Sequence, residues 1–178
     1  YWLSIALGGL FFVIIKTATK AGWSAAVRRI AENAMVTLPL FAVLFIPIVL
    51  NMEELYKHWL HPHGTPIEVA IVKAKEAYLN KSFFLVRALI YFVAWSGLAV
   101  FFYKQSTKQD ETGDKIHSAK MIKWAAIGIP IFGLSITFAA IDWIMSMDPH
   151  WFSTMFGVYF FAGSAVAIFA FMTLISIL

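Results

Sequence analysis

One arginine sits inside a long apolar run and demands a chemical explanation. Arg87 follows Lys81 by six residues, which places it about 9 Å deeper along a helix. A charge at such depth is costly in hydrocarbon. It snorkels, pairs or faces water, and charges within membrane spans commonly mark an ion, proton or substrate route. The second concentration of chemistry is the run Asp142-Trp143-Ile144-Met145-Ser146-Met147-Asp148-Pro149-His150-Trp151-Phe152-Ser153-Thr154. Acids, a histidine and hydroxyls can form a proton exit or hold a quinol headgroup. Quinol oxidation releases protons as well as electrons, and a histidine or carboxylate of suitable pKa is the usual acceptor. Arg87, Asp142, Asp148 and His150 are therefore the candidates for a proton path or quinol pocket. The purely structural alternative has Asp142 pairing with Arg87 and Asp148 capping the helix that follows.

Tyr91, Ser135, Thr137 and Tyr159 add hydroxyls within the apolar segments, as do Thr37, Ser96 and Ser164. They can extend a water-assisted wire, or bond back to their own helices as Ser and Thr do in membrane spans. His58, His61 and His63 are clustered, but their spacing matches no zinc motif, and they read as surface histidines. With no intramembrane histidine pair there is no candidate for bis-histidine haem ligation. Arg28, Arg29 and Glu32 are spaced for a local ion-pair cluster or for contact with anionic lipid.

The elements that hold these residues are apolar. Of 178 residues 61% are hydrophobic and only 13% charged, about half the charged share of an ordinary soluble domain. Cysteine is absent, which excludes a disulfide scaffold, thioether haem attachment and cysteinyl iron–sulfur ligation by this chain. The hydrophobic pattern predicts an all-α polytopic transmembrane bundle in a single domain, 1–178, with spans at about 1–15, 33–50, 82–103, 121–141 and 153–178. Pro39, Pro47 and Pro130 lie within spans and predict kinks. Residues 51–81 form a long connector, with short surface helices predicted on either side of the His61–Pro66 segment and Thr65 as a cap. Connectors 16–32 and 104–120 carry an excess of Lys and Arg, whereas 51–81 is balanced and 142–152 has no Lys or Arg. The positive-inside rule puts the first pair in the cytoplasm and the second pair outside, in the periplasm of a bacterial inner membrane.

Gly8-Gly9-Leu10-Phe11-Phe12, Ala21-Gly22-Trp23-Ser24, Arg28-Arg29-Ile30-Ala31-Glu32-Asn33 and the stretch from Asp142 to Gly157 together carry a resemblance. The chain resembles the polysulfide-reductase-like, NrfD-like membrane subunits of bacterial alternative complex III, and is more similar to the F than to the C subunit. The resemblance implies a respiratory quinol:electron-acceptor oxidoreductase that delivers electrons to cytochrome c or a high-potential iron–sulfur protein. Menaquinol would be the substrate, with iron–sulfur clusters and c-type haems held in partner subunits and none in this chain. It implies about ten spans in the whole subunit, so that five would be roughly half, and association with homologous membrane subunits and a haem–copper oxygen reductase. It places Asp142, Asp148 and His150 near an outer-side proton exit or quinol pocket; Arg87 joins them from its depth and charge alone. Rival readings are a secondary transporter with Arg87 and Asp142 on its path, for which interrupted spans are suited, and a purely structural membrane anchor.

Overall fold

The computed structural model describes residues 1–178 and is helical throughout. Its longest unit is a hairpin of α8 (Lys81–Thr112) and α9 (Lys115–Trp143). Local chemistry sets its limits. The Asn80 side chain caps α8 by accepting from the Phe83 amide, and Gly113, at φ 68°, supplies the left-handed residue that ends it. Asp114 then caps α9 by accepting from the Ile116 amide. The expected connector 104–120 is thus almost entirely helix, with only Gly113 and Asp114 outside it. The polar residues of that segment extend the helices beyond the apolar stretch, since α8 alone is about 48 Å long against a hydrocarbon core of about 30 Å. Polar pairs fix the hairpin register from end to end: Arg87 with Asp142, the Trp95 indole donating to Ser135, Gln105 with His117, and Gln109 donating to Ser118.

The second apolar segment folds as α2 (Arg28–Met35), α3 (Leu38–Leu44) and α4 (Ile46–Leu50). Pro39 has no N–H to return to the preceding turn, and the helix lapses at Val36 and Thr37. The Thr37 hydroxyl donates to the Ala34 carbonyl at 2.7 Å across this break. Pro47 accompanies a second interruption at Phe45. Pro130 behaves differently: α9 passes through it without an interruption.

The first apolar segment, α1 (Trp2–Ala18), is 17 residues long and lies among α2, α9 and α10 (Phe156–Ile177). Its small residues allow close approach. A Cβ on Gly8 would run into the Ser164 carbonyl and Ile168 of α10, and one on Gly9 would lie 2.9 Å from the Ala31 carbonyl of α2. Four helical stretches, rather than the five expected, are long and apolar enough to cross a membrane: Arg28–Leu50, Lys81–Thr112, Lys115–Met147 and Phe156–Ile177. The shorter α1 ends where Lys20, at φ 53°, turns the chain.

Contacts between connectors sort them to two ends. Arg28 and Arg29 at the start of α2 both bond Asp110 near the end of α8. At the other end the Lys75 ammonium donates to the Pro149 carbonyl. Between Leu50 and Lys81 lie α5 (Met52–Leu55), α6 (Lys57–Leu60) and α7 (Pro66–Ala74), the last opened by a capping box of Thr65 and Glu68. The outward faces of the long helices expose Leu89, Val93, Leu134, Phe138, Val166 and Phe169. Such an apolar belt around a buried core suits lipid rather than water.

Candidate functional site

Arg87 and Asp142 meet at the end of the bundle that carries α7. Asp142 has no exposed surface, and Arg87 is also buried. Arg87 Nε donates to Asp142 Oδ2 at 2.7 Å and Nη2 donates to Oδ1 at 3.1 Å, a two-pronged arrangement in which the planar guanidinium matches the carboxylate. The Tyr91 hydroxyl, one turn along α8, donates to Oδ2 at 2.7 Å. The remaining guanidinium nitrogen, Nη1, donates to the Tyr78 carbonyl at 3.0 Å. The Tyr78 and Phe83 rings lie 3.9 and 4.3 Å from the guanidinium carbon, so the cation is also covered by aromatic faces. Together these contacts satisfy a charge that hydrocarbon would otherwise expel.

Aromatic residues wall the cluster. Trp143 stacks on Phe92 at 5.3 Å and meets Trp95 edge-on at 5.7 Å, and its carbonyl accepts from the Tyr56 hydroxyl at 3.0 Å. Burial, and to a smaller degree the Asp142 charge, push the Tyr56 phenol up to about 12. Burial first, and then the neighbouring Asp142 carboxylate, raise the Tyr78 phenol well above its ordinary value, against a smaller opposing effect of Arg87.

Next to the cluster is a cavity of about 700 Å³ between α7 with the segment that follows it and the 145–152 loop. Ile71, Leu79, Ile141, Trp151 and Phe152 make it largely apolar, while Lys75, Tyr78, Ser146 and His150 contribute the polar groups. An apolar pocket with a few convergent polar groups suits an amphiphilic ring better than an ion. Neither Arg87 nor Asp142 lines it. The cavity therefore meets the ion pair through Tyr78, and through Ser146, whose hydroxyl donates to the Asp142 main-chain carbonyl.

The remaining sequence-predicted residues divide. His150 is exposed at the cavity. Asp148 is exposed and accepts from the His150 amide at 3.0 Å, forming a local turn; it does not cap α10, whose N-cap is Met155 without a side-chain bond. Tyr91 belongs to the ion-pair cluster. Ser135 accepts from Trp95 and donates to the Phe132 carbonyl, while Thr137 donates back to the Gly133 carbonyl within its own helix. Tyr159 faces outward at 77% exposure. These hydroxyls make no continuous wire with Asp142.

Tyr78, Lys75 and Tyr56 were not singled out in the sequence as site residues. They lie in a polar connector with the composition of surface, and no sequence signal marked Tyr78, whose carbonyl reaches the arginine only through the fold. At the opposite end, Glu32 is buried between Arg28 and Arg29 and accepts from the Ser106 hydroxyl at 2.8 Å. Asp110 joins that cluster from α8. No set of three or more His, Cys, Asp or Glu side chains is grouped to hold a metal ion.

Fold and site together define a polytopic all-α membrane protein with a buried ion pair beside an end-facing apolar cavity. No family model matches the chain, and no curated protein matches it.

Proposed function

We propose that this chain is part of a membrane subunit of a respiratory quinol:electron-acceptor oxidoreductase, of the NrfD-like kind found in alternative complex III. The observation that carries this reading is the buried Arg87–Asp142–Tyr91 cluster set directly behind the cavity that His150, Tyr78 and Lys75 help to line. The cavity has the size and apolar lining for the ring and first tail carbons of menaquinol, and the carboxylate behind it is a proton acceptor shielded from lipid. Asp142 and His150 are the proton-handling groups in this reading, Arg87 holds Asp142 in place, and Asp148 shapes the loop that presents His150.

The chain has no cysteine and no grouped metal donors, so it offers no ligands for an iron–sulfur cluster or a thioether-bound haem. Those centres belong to partner subunits, an iron–sulfur protein and a multihaem cytochrome c, with a haem–copper oxygen reductase as a further associate. The basic end, with Arg28 and Arg29, faces the cytoplasm of a bacterial inner membrane and the cavity faces the periplasm. A second reading, secondary transport along a path at Arg87 and Asp142, draws support from the interrupted α2–α4 span.

Menaquinol oxidation and proton release measured in the assembled complex separate these readings. Asp142→Asn and His150→Ala lower turnover and proton release if the cluster handles quinol protons. Unchanged turnover and proton stoichiometry in an assembled complex would refute the reading.

A further inference from the structure

We propose that the cavity between α7 and the 145–152 loop opens sideways into the bilayer, in the leaflet on the α7 side. The apolar face of α7 and the segment from Trp151 to Met155 are seated in lipid as its two lips. The ligand class this admits is an amphiphile that diffuses within the membrane. The seating follows from the membrane fold alone; taking that amphiphile to be a quinol rests on the function proposed above.

The first lip is a helix with an apolar face that the bundle leaves uncovered. Ile67, Ala70, Ile71 and Ala74 recur at the i, i+3, i+4, i+7 spacing that sets them on one face of α7, and all four are exposed. Val72, on the opposite side, is buried and fastens the helix to the bundle. Glu68 and Lys73 take the flanks, Glu68 in the capping box with Thr65 and Lys73 exposed. Packing thus accounts for Val72 and leaves the other apolar face without a partner; Ile67 keeps 73% of its surface. At a membrane boundary such a face is stabilised by turning toward the acyl chains.

The second lip continues the outward face of α10. Phe152 and Met155 are 74% and 63% exposed just before that helix begins, and Val158 and Tyr159 carry the exposed surface into its first turn, toward Val166 and Phe169 of the apolar belt. Trp151, half exposed, is the aromatic type that membrane boundaries favour. Continuity with the lipid-facing belt assigns the occupant to lipid rather than to a second protein. The cavity joins the lips: Ile71 and Ala74 on one wall and Trp151 and Phe152 on the other line it and are themselves exposed, so its mouth lies between them. Ile141, in the last turn of α9, lines the same cavity and sets it at the end of the apolar segment. The lining contains no Asp or Glu, so an oxygen-bearing headgroup meets no acidic repulsion there and finds Lys75 and His150 instead.

Spin labelling tests this, because the chain has no cysteine of its own. Nitroxides are placed on Ile67→Cys, Ala74→Cys and Phe152→Cys, with Lys73→Cys as the control on the polar flank, in the full-length protein within its native assembly and reconstituted in lipid nanodiscs. Molecular oxygen concentrates among acyl chains and a neutral nickel chelate in water, so the collision rates of each label with the two report what it touches. The seating predicts that oxygen collides more often than the chelate at 67, 74 and 152, and less often at 73. A ratio at Ala74 like that at Lys73 means that the cavity opens to water, and overturns the proposal. Few collisions with either reagent at Ile67 and Phe152 mean that a partner subunit or a second copy covers the face, and overturn it as well. Where a labelled variant does not assemble, Ile71→Cys and Met155→Cys report from the same two lips. The readout is independent of quinol chemistry: the seating stands or falls on collision rates, and the quinol reading on the turnover of Asp142→Asn and His150→Ala.

Discussion

Arg87 and Asp142, 55 residues apart in the chain, bind each other through two hydrogen bonds of 2.7 and 3.1 Å inside the bundle. A buried pair of this kind costs most when only one partner is lost, because the other charge is then stranded. Arg87→Leu and Asp142→Leu should each destabilise the protein by about 3–5 kcal/mol, while the double substitution should cost less than either alone. Thermal unfolding of the four variants in detergent checks this. Additive losses would show that the pair is not coupled.

Helix contact distances give a second contrast. A Cβ at Gly8 collides with the Ser164 carbonyl, whereas one at Gly97 meets nothing within 4 Å. Gly8→Ala should therefore cost about 1–3 kcal/mol by forcing α1 from α10. Gly97→Ala should be neutral, or stabilising by up to about 1 kcal/mol, because alanine is the better helix former. Equal melting temperatures for the two variants would contradict the close approach of α1 and α10.

The cap of α7 carries a pH dependence. Hydrogen bonds from the Thr65 amide and hydroxyl hold the Glu68 carboxyl below the usual carboxylate value. A depressed folded pKa means that the cap's contribution is present above the ordinary carboxylate pKa and is lost as pH falls through the lowered one. A spin label at Lys73 should gain mobility on acidification through that lower range, and Glu68→Ala should abolish the step. A step that persists in Glu68→Ala would assign it to another group.

Orientation can be tested directly because the chain has no cysteine of its own. Cysteines at Thr19 and Lys108 should react with a membrane-impermeant maleimide only in inverted vesicles, and cysteines at Glu54 and Lys73 only in intact cells with a permeabilised outer membrane. Labelling of Thr19 and Lys73 from the same side would contradict the proposed topology.

The sequence carried the apolar segments plainly, since span length and hydropathy are local properties. It also carried the Arg87–Asp142 pairing, offered there as the structural alternative: a lone arginine and a buried acid at matching depth have few other solutions. The count of crossing helices was not readable in the same way. The first segment already fell a few residues short of a span, and α1, at 17 residues, stays below the length that a crossing needs. The hairpin turn was obscured because Lys104, Lys108 and Lys115 read as loop, although charged residues continue a helix readily once it leaves the hydrocarbon. Tyr78 was hidden for a third reason. Its role depends on the chain folding back after α7 to bring its carbonyl to Arg87, a tertiary contact with no periodic signal.

The visible redox difference spectrum of whatever copurifies with this protein from its native membrane tests the central claim most directly. The respiratory reading predicts a stable assembly with c-type haem bands that are reduced by added menaquinol, and reduced more slowly in Asp142→Asn. A protein that purifies intact without haem-bearing partners, or an assembly whose haems menaquinol does not reduce, would contradict it.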